Sequence, residues 1–369
     1  MKWSFKIGSI MGIPIKVHAT FLLLLLLIFF AGSSVIGMGG LNGVIFVILV
    51  FASVVFHELS HSIVARHFGI GVQDITLLPI GGVSRMANPP DKPTTEVLVA
   101  IAGPASSLLL FFLIWFAASM IGRGFSLSDA LSGGNLVAQL ALVNVVLAVF
   151  NLLPAFPMDG GRVLRGLLGL YLSPYKATRI AVGVGQGFAI GLFFLGLYLM
   201  NFFMILIALF VYLGAEAEER QATIVSSLGG ATAGTAMISV VETLAPGETV
   251  GHAAELYCRS FQQDFPVMEA TRLVGLVPRE LITETLHRRG PGVPVQEIMV
   301  TDFPVVAEQT PLMDVFQKFQ ATGLKVIPVM RGTELRGLIT LEQIGRYHML
   351  CSGYSCDFLQ PTKPERAAG

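Results

Sequence analysis

The sequence predicts a polytopic α-helical membrane protein. It has six transmembrane helices with a short β-hairpin, followed by a cytoplasmic α/β module of two repeated units. Three observations predict this: a shortage of charge, long apolar stretches separated by alternately basic loops, and a polar C-terminal third that repeats itself. Of 369 residues, 53% are hydrophobic and only 13% are charged, against a usual charged share of about 25%. The formal net charge is zero, so there is no basic surplus for nucleic acid and none is expected as a partner.

The spans follow from the need for about 20 mostly apolar residues to cross a bilayer. "FLLLLLLIFF" lies in the first, residues 18–35. No convincing small-residue cleavage site follows it, so it reads as an uncleaved span and not as a signal peptide. The next three are residues 43–68, 96–121 and 134–153. The stretch 177–215 is too long for one helix and divides near Met200 and Asn201 into two. Lys2, Lys6 and Lys16 precede the first span. Arg66, Arg85 and Lys92 surround the second loop, and Arg162, Arg165, Lys176 and Arg179 lie in the fourth. The first and fifth loops carry no basic residue, and the third has only Arg123. Positive residues stay inside, so both termini are expected in the cytoplasm of a multi-pass cell-membrane protein. "DITLLPIGGVSRM" reads as two short strands around Gly81 and Gly82.

Domain 1–215 is therefore the membrane region, and 216–234 is a linker containing "SSLGGATAGT". Residues 235–289 and 290–350 are two copies of one unit with a period of about 60 residues, and 351–369 form a tail. Each copy has a Pro-led helix, a strand of type F/I-P-V and a strand of type G-L-V/I. Cys258, Cys351 and Cys356 have no regular spacing and are read as reduced thiols.

The second span carries "HELSH". On a helix, His57 and His61 are one turn apart on one face, where two imidazoles can hold one Zn²⁺. Glu58 stands beside them as a candidate base. Metal binding offsets the cost of polar groups in a dry helix, where one charge costs roughly 2.5–3.5 kcal/mol on insertion scales. Catalytic zinc usually takes three protein ligands. The second and fourth spans run the same way through the membrane, and the fourth ends in "NLLPAFPMDGGR". That depth match favours Asp159 as the third ligand. Pro154 and Pro157 break the helix there, and Gly160 and Gly161 allow a sharp turn.

With these motifs the sequence resembles the site-2 proteases, which are zinc intramembrane metalloproteases. HELSH matches their first motif and N-x-x-P-x-x-P-x-D-G-G-R the second. "GIPIKVHATF", "LLPIGGVSRM" and "AGP" at residues 102–104 also fit. The resemblance implies one zinc per subunit on His57, His61 and Asp159, with Glu58 as catalytic base and Asn151 binding substrate or the oxyanion. It implies a single-span membrane substrate, such as an anti-sigma factor or a membrane-tethered regulator. The hairpin is then a strand edge that could hold substrate extended. Asn151 as helix-packing glue and the hairpin as a bystander stay open.

The repeated units resemble a tandem CBS pair, a module that often dimerises and binds adenine nucleotides. The second copy's "GLITLEQ" keeps Thr340 but puts Gln343 where an acid would hold the ribose. The first copy has Pro278 where a hydroxyl belongs. Nucleotide binding and a plain dimerisation or docking role therefore stand side by side. The expected function is zinc-dependent cleavage of transmembrane segments, regulated through the CBS pair. A CBS-gated transporter or channel and an inactive protease-like scaffold are the rivals.

Overall fold

The computed structural model describes residues 3–35, 40–79, 81–86, 90, 92–121, 130, 135–260 and 262–351. Lys2, Arg123, Cys356 and the tail from residue 352 lie outside the described residues. The chain divides into two compact units that meet at Arg220 and Gln221.

The first unit opens with β1 (Ser4–Ile10) and β2 (Ile13–His18), which lead directly into α1 (Ala19–Val35) and then α2 (Gly40–His67). The hairpin β3 (Val72–Leu78) and β4 (Gly81–Met86) follows. It is not a free-standing pair. The four strands form one sheet in the order β1-β2-β3-β4, with β2 parallel to β3. Buried Asp74 holds this sheet: Lys16 Nζ donates to its carboxylate at 2.7 Å, and the Thr76 hydroxyl donates at 3.1 Å. These bonds outweigh burial and hold the Asp74 carboxyl below its usual range. The alternation in "IPIKVH" is that of a strand, but the apolar first span begins immediately after it and masks the pattern.

Next come α3 (Pro93–Met120), α4 (Leu136–Asn151), α5 (Asp159–Gly169), α6 (Pro174–Tyr198) and α7 (Phe202–Leu228). Among the described residues, three helices are long and apolar enough to cross a membrane: α2, α3 and α6. The apolar part of α1, Ala19–Ala31, and α4 are shorter. The helix α7 starts apolar and turns polar at "EAEER". The unit's core joins α1, α2 and the sheet through Phe21, Phe51, Val54 and Leu77. Arg165 of α5 forms a node: its Nε donates to Glu96 of α3 at 2.6 Å, and its Nη1 pairs with Glu218 of α7.

The second unit contains the repeat, after a helical turn α8 (Ala233–Ala236). Its first copy has α9 (Val250–Arg259), β5 (Phe265–Glu269), β6 (Arg272–Val277) and α10 (Arg279–Arg289). The second has β7 (Val306–Ala307), α11 (Leu312–Thr322), β8 (Val326–Arg331), β9 (Glu334–Thr340) and α12 (Leu341–Cys351). The two copies repeat down to their irregularities. A bulge interrupts β5–β6 between Val267 and Met268, and another interrupts β8–β9 between Val329 and Met330. The copies also exchange bridges, Ile238 with Leu338 and Leu276 with Val300, so they form one body. Cys258 is a free, exposed thiol, but Cys351 is disulfide-bonded, which corrects the expectation of reduced thiols throughout.

Candidate metal centre

The helix α2 keeps its register through the motif because no Gly or Pro interrupts Val44–Phe68. It ends at Gly69, whose φ of 79° suits a left-handed C-terminal cap. His57 and His61 are both buried on the face that meets α3, with ring centroids 4.8 Å apart. Asp159 arrives from a separate segment. It is the first residue of α5, after the turn Leu152–Met158. The two following glycines are required there. A side chain at Gly160 would collide with the carbonyls of Leu152 and Leu153, and one at Gly161 with the backbone of Ala155 and Phe156.

The three donors converge. Asp159 Oδ2 lies 3.1 Å from His57 Nε2 and 3.1 Å from His61 Nε2, and the two nitrogens are 3.2 Å apart. Tetrahedral zinc with bonds of about 2.0–2.1 Å needs donor separations of roughly 3.3 Å. The observed triangle is therefore the right size and the right donor set. Among the described residues this is the one cluster of three or more His, Cys, Asp or Glu side chains that could hold a metal.

The imidazoles are aimed from α3, through residues that carried no chemical signal in the sequence. His61 Nδ1–H donates to the Val99 carbonyl at 2.6 Å, and His57 Nδ1 meets the buried Ser107 hydroxyl at 2.9 Å. With Nδ1 engaged, Nε2 is the atom left for metal in both rings. Val99, Gly103 and Ser107 fall at intervals of four, one stripe of α3. Gly103 lies at the centre, where an added Cβ would strike Nε2 of both His57 and His61. Pro104 follows and has no N–H to offer the Ala100 carbonyl one turn back. "AGP" entered the sequence analysis only as a resemblance; its physical content is this close approach.

Glu58 is half-buried on the side of α2 that faces the sheet. A Cβ built on Gly82 would lie 2.7 Å from Glu58 Cγ and 3.0 Å from Val54 Cγ1, so β4 passes directly over it. Ser62 and Ser84 hydroxyls, 3.0 Å apart, fasten β4 to α2. Asn151 is the last residue of α4, and its Nδ2 donates to the Leu147 carbonyl at 2.9 Å. Asn144, one heptad earlier and fully buried, donates to Ser53 at 3.1 Å and ties α4 to α2.

The family model for peptidase family M50 matches residues 45–134 and 128–194, and that for the CBS domain matches residues 295–348. A zinc metalloprotease of Methanocaldococcus jannaschii is 34% identical over 94% of this chain and 96% of its own length. The chain belongs to peptidase family M50. A putative zinc metalloprotease of Synechocystis is 32% identical over 81% of the chain and 82% of its own length. The solved site-2 protease from M. jannaschii is 39% identical, covers 59% of this chain and 96% of its own, and has a TM-score of 0.45. This M50 protein is a zinc metalloprotease with membrane-capable helices and a CBS domain. A transporter reading leaves the buried His-His-Asp triangle without a purpose and is set aside.

Proposed function

We propose that this M50 protease cuts membrane-spanning segments of single-span proteins, within or near the bilayer on the cytoplasmic side. The observation that carries this reading is the meeting of three things on one helix. The donor triangle, Glu58 and the β4 strand all adjoin the C-terminal half of α2. A peptide bond inside a helix is shielded by its own hydrogen bonds, so a protease of helices must hold its substrate extended. The outer edge of β4 is the end of the sheet, and an unwound substrate strand can add there.

Bound zinc would supply Lewis acidity to water and to the scissile carbonyl. Glu58 takes the proton from the attacking water and passes it to the leaving amine. Asn151 Nδ2 keeps a second hydrogen free for the carbonyl oxygen as that oxygen gains charge. In this reading α1, α2, α3, α4, α6 and the apolar part of α7 form six spans, and both termini are cytoplasmic. The CBS pair regulates the enzyme by dimerising or by binding a ligand. A cleft of ≈ 700 Å³ lined by Asp264, Lys325, Thr340, Gln343 and Arg346 is the place for that ligand, an adenine nucleotide being the first to try.

The test is Glu58→Gln. The variant should keep its zinc and lose about 10²–10⁴-fold in cleavage rate. Membrane proteomes of cells carrying wild-type or variant enzyme should differ in single-span proteins that persist only with the variant, such as membrane-tethered regulators or anti-sigma factors. Normal cleavage by Glu58→Gln would remove Glu58 as the base.

A further inference from the structure

The N-terminal strand β1 takes no part in the chemistry, and it is unusually apolar for an exposed strand. Trp3, Phe5 and Ile7 alternate with Ser4 and Lys6 and are 69%, 59% and 66% exposed. Trp3, just before the strand, and Phe5 and Ile7 within it form a patch that soluble surfaces avoid.

The structure also indicates what covers them. The Trp3 carbonyl accepts from the Ala19 N–H at 2.9 Å, which seats Trp3 on the first turn of α1. Trp3, His18, Leu22, Leu23 and Leu26 line one open groove of ≈ 770 Å³. The Trp3 surface is therefore continuous with the exposed leucines of α1. Main chain limits how deep β1 can go. Its outer edge has no partner strand among the described residues, and unpaired backbone is not tolerated in hydrocarbon. A strand with a wet edge and a tryptophan at its start belongs at the headgroup boundary. Charge agrees with this. Lys6 stands across the ladder from Lys16. Lys16 is neutralised by Asp74, whereas Lys6 is exposed. Lys6 is then the cation of this pair that remains for an anionic lipid phosphate.

We propose that β1 is a membrane-interface anchor. Trp3, Phe5 and Ile7 lie among the upper acyl chains of the leaflet that α1 enters, and Lys6 engages lipid phosphate. The proposal rests on reading α1 as a span. It gives the sheet a fixed depth, so β4, at the opposite end of the sheet, is also held at a set height in the membrane.

The chain has two tryptophans, Trp3 and Trp115, so each can be read alone in the full-length protein. Trp115→Phe leaves Trp3, and Trp3→Phe leaves Trp115 within α3. Both variants are placed in phosphatidylcholine–phosphatidylglycerol vesicles whose acyl chains are brominated near the headgroup or near the chain end. Trp3 should emit to the blue of a water-exposed indole and lose most of its fluorescence to the shallow bromines. Lys6→Glu should weaken that quenching and leave Trp115 unchanged. Water-like, unquenched Trp3 beside a quenched Trp115 overturns the anchor alone. If neither is quenched, the membrane reading falls with it. A blue-shifted but unquenched Trp3 means a protein contact, such as a second copy on the β1 edge, and also overturns the proposal.

Discussion

Gly103→Ala changes one hydrogen into a methyl group at the centre of the site. The new Cβ would lie 2.5 Å from His57 Nε2 and 2.6 Å from His61 Cε1, and closer still to His61 Nε2. Ordinary contact needs about 3.5 Å, so the rings or the whole of α3 must retreat by roughly 1 Å. Metal sites hold their distances within about 0.2 Å. The forced shift is several times that, and it acts on two of three donors together. Changes that merely misdirect one such imidazole cost about 10–100-fold in metal affinity, and this one should cost at least as much. The assay is zinc competition against a chelator on purified protein in detergent, with zinc content and cleavage measured alongside. Gly183→Ala is the control, because an added Cβ there meets nothing within 4 Å and alanine favours a helix by roughly 0.5–1 kcal/mol. Unchanged zinc affinity and full cleavage by Gly103→Ala would refute the claim that this glycine makes room for the metal-holding nitrogens.

Three further outcomes follow from neighbouring contacts. Ser107→Ala removes the group at His57 Nδ1 and should weaken zinc about 10–100-fold, with Ser107→Thr recovering part of the loss in the same chelator titration. Gly82→Ala presses on Glu58 Cγ and Val54. It should slow cleavage while zinc content stays whole, the reverse of the Gly103→Ala pattern. In the first CBS copy, burial raises the Asp264 carboxyl above its ordinary value. The folded copy then holds a proton that the unfolded chain has already released. Its stability therefore falls as pH rises from about 4 through the raised value. Asp264→Asn keeps an acceptor for the Arg279 N–H and should remove this loss, seen as slower hydrogen exchange in β5 and β6 at pH 7 with little change at pH 4.

The sequence was legible where chemistry imposes spacing. His57, Glu58 and His61 declare themselves by their interval on a helix. Asp159 is expected from a depth match between the second and fourth predicted spans, and the structure places it 3.1 Å from both histidines. The internal repeat was visible because each copy carries the same strand pattern, and even the two bulges recur after a Val–Met step. What stayed hidden carries no side-chain signature. A backbone carbonyl at Val99 and the missing side chain at Gly103 look like any apolar helix until α2 is packed against them. Ser107 is one of two adjacent serines in that helix, and only the fold shows which one reaches His57. The four-stranded sheet escaped for a different reason. Its parallel pairing of β2 with β3 joins segments separated by α1 and α2, and local alternation cannot announce a partner so far away.

The border of β4 beside Glu58, unpaired among the described residues, also bears on which proteins this enzyme would choose. A strand border grips main chain, which every polypeptide shares, and asks little of the side chains it holds. If the substrate is the transmembrane helix proposed above, discrimination would then fall to the cost of unravelling it. Glycine, proline and β-branched residues lower that cost, so fragile segments would be cut ahead of sturdy ones. The proteins it consumes would resemble one another in weakness and share no consensus motif.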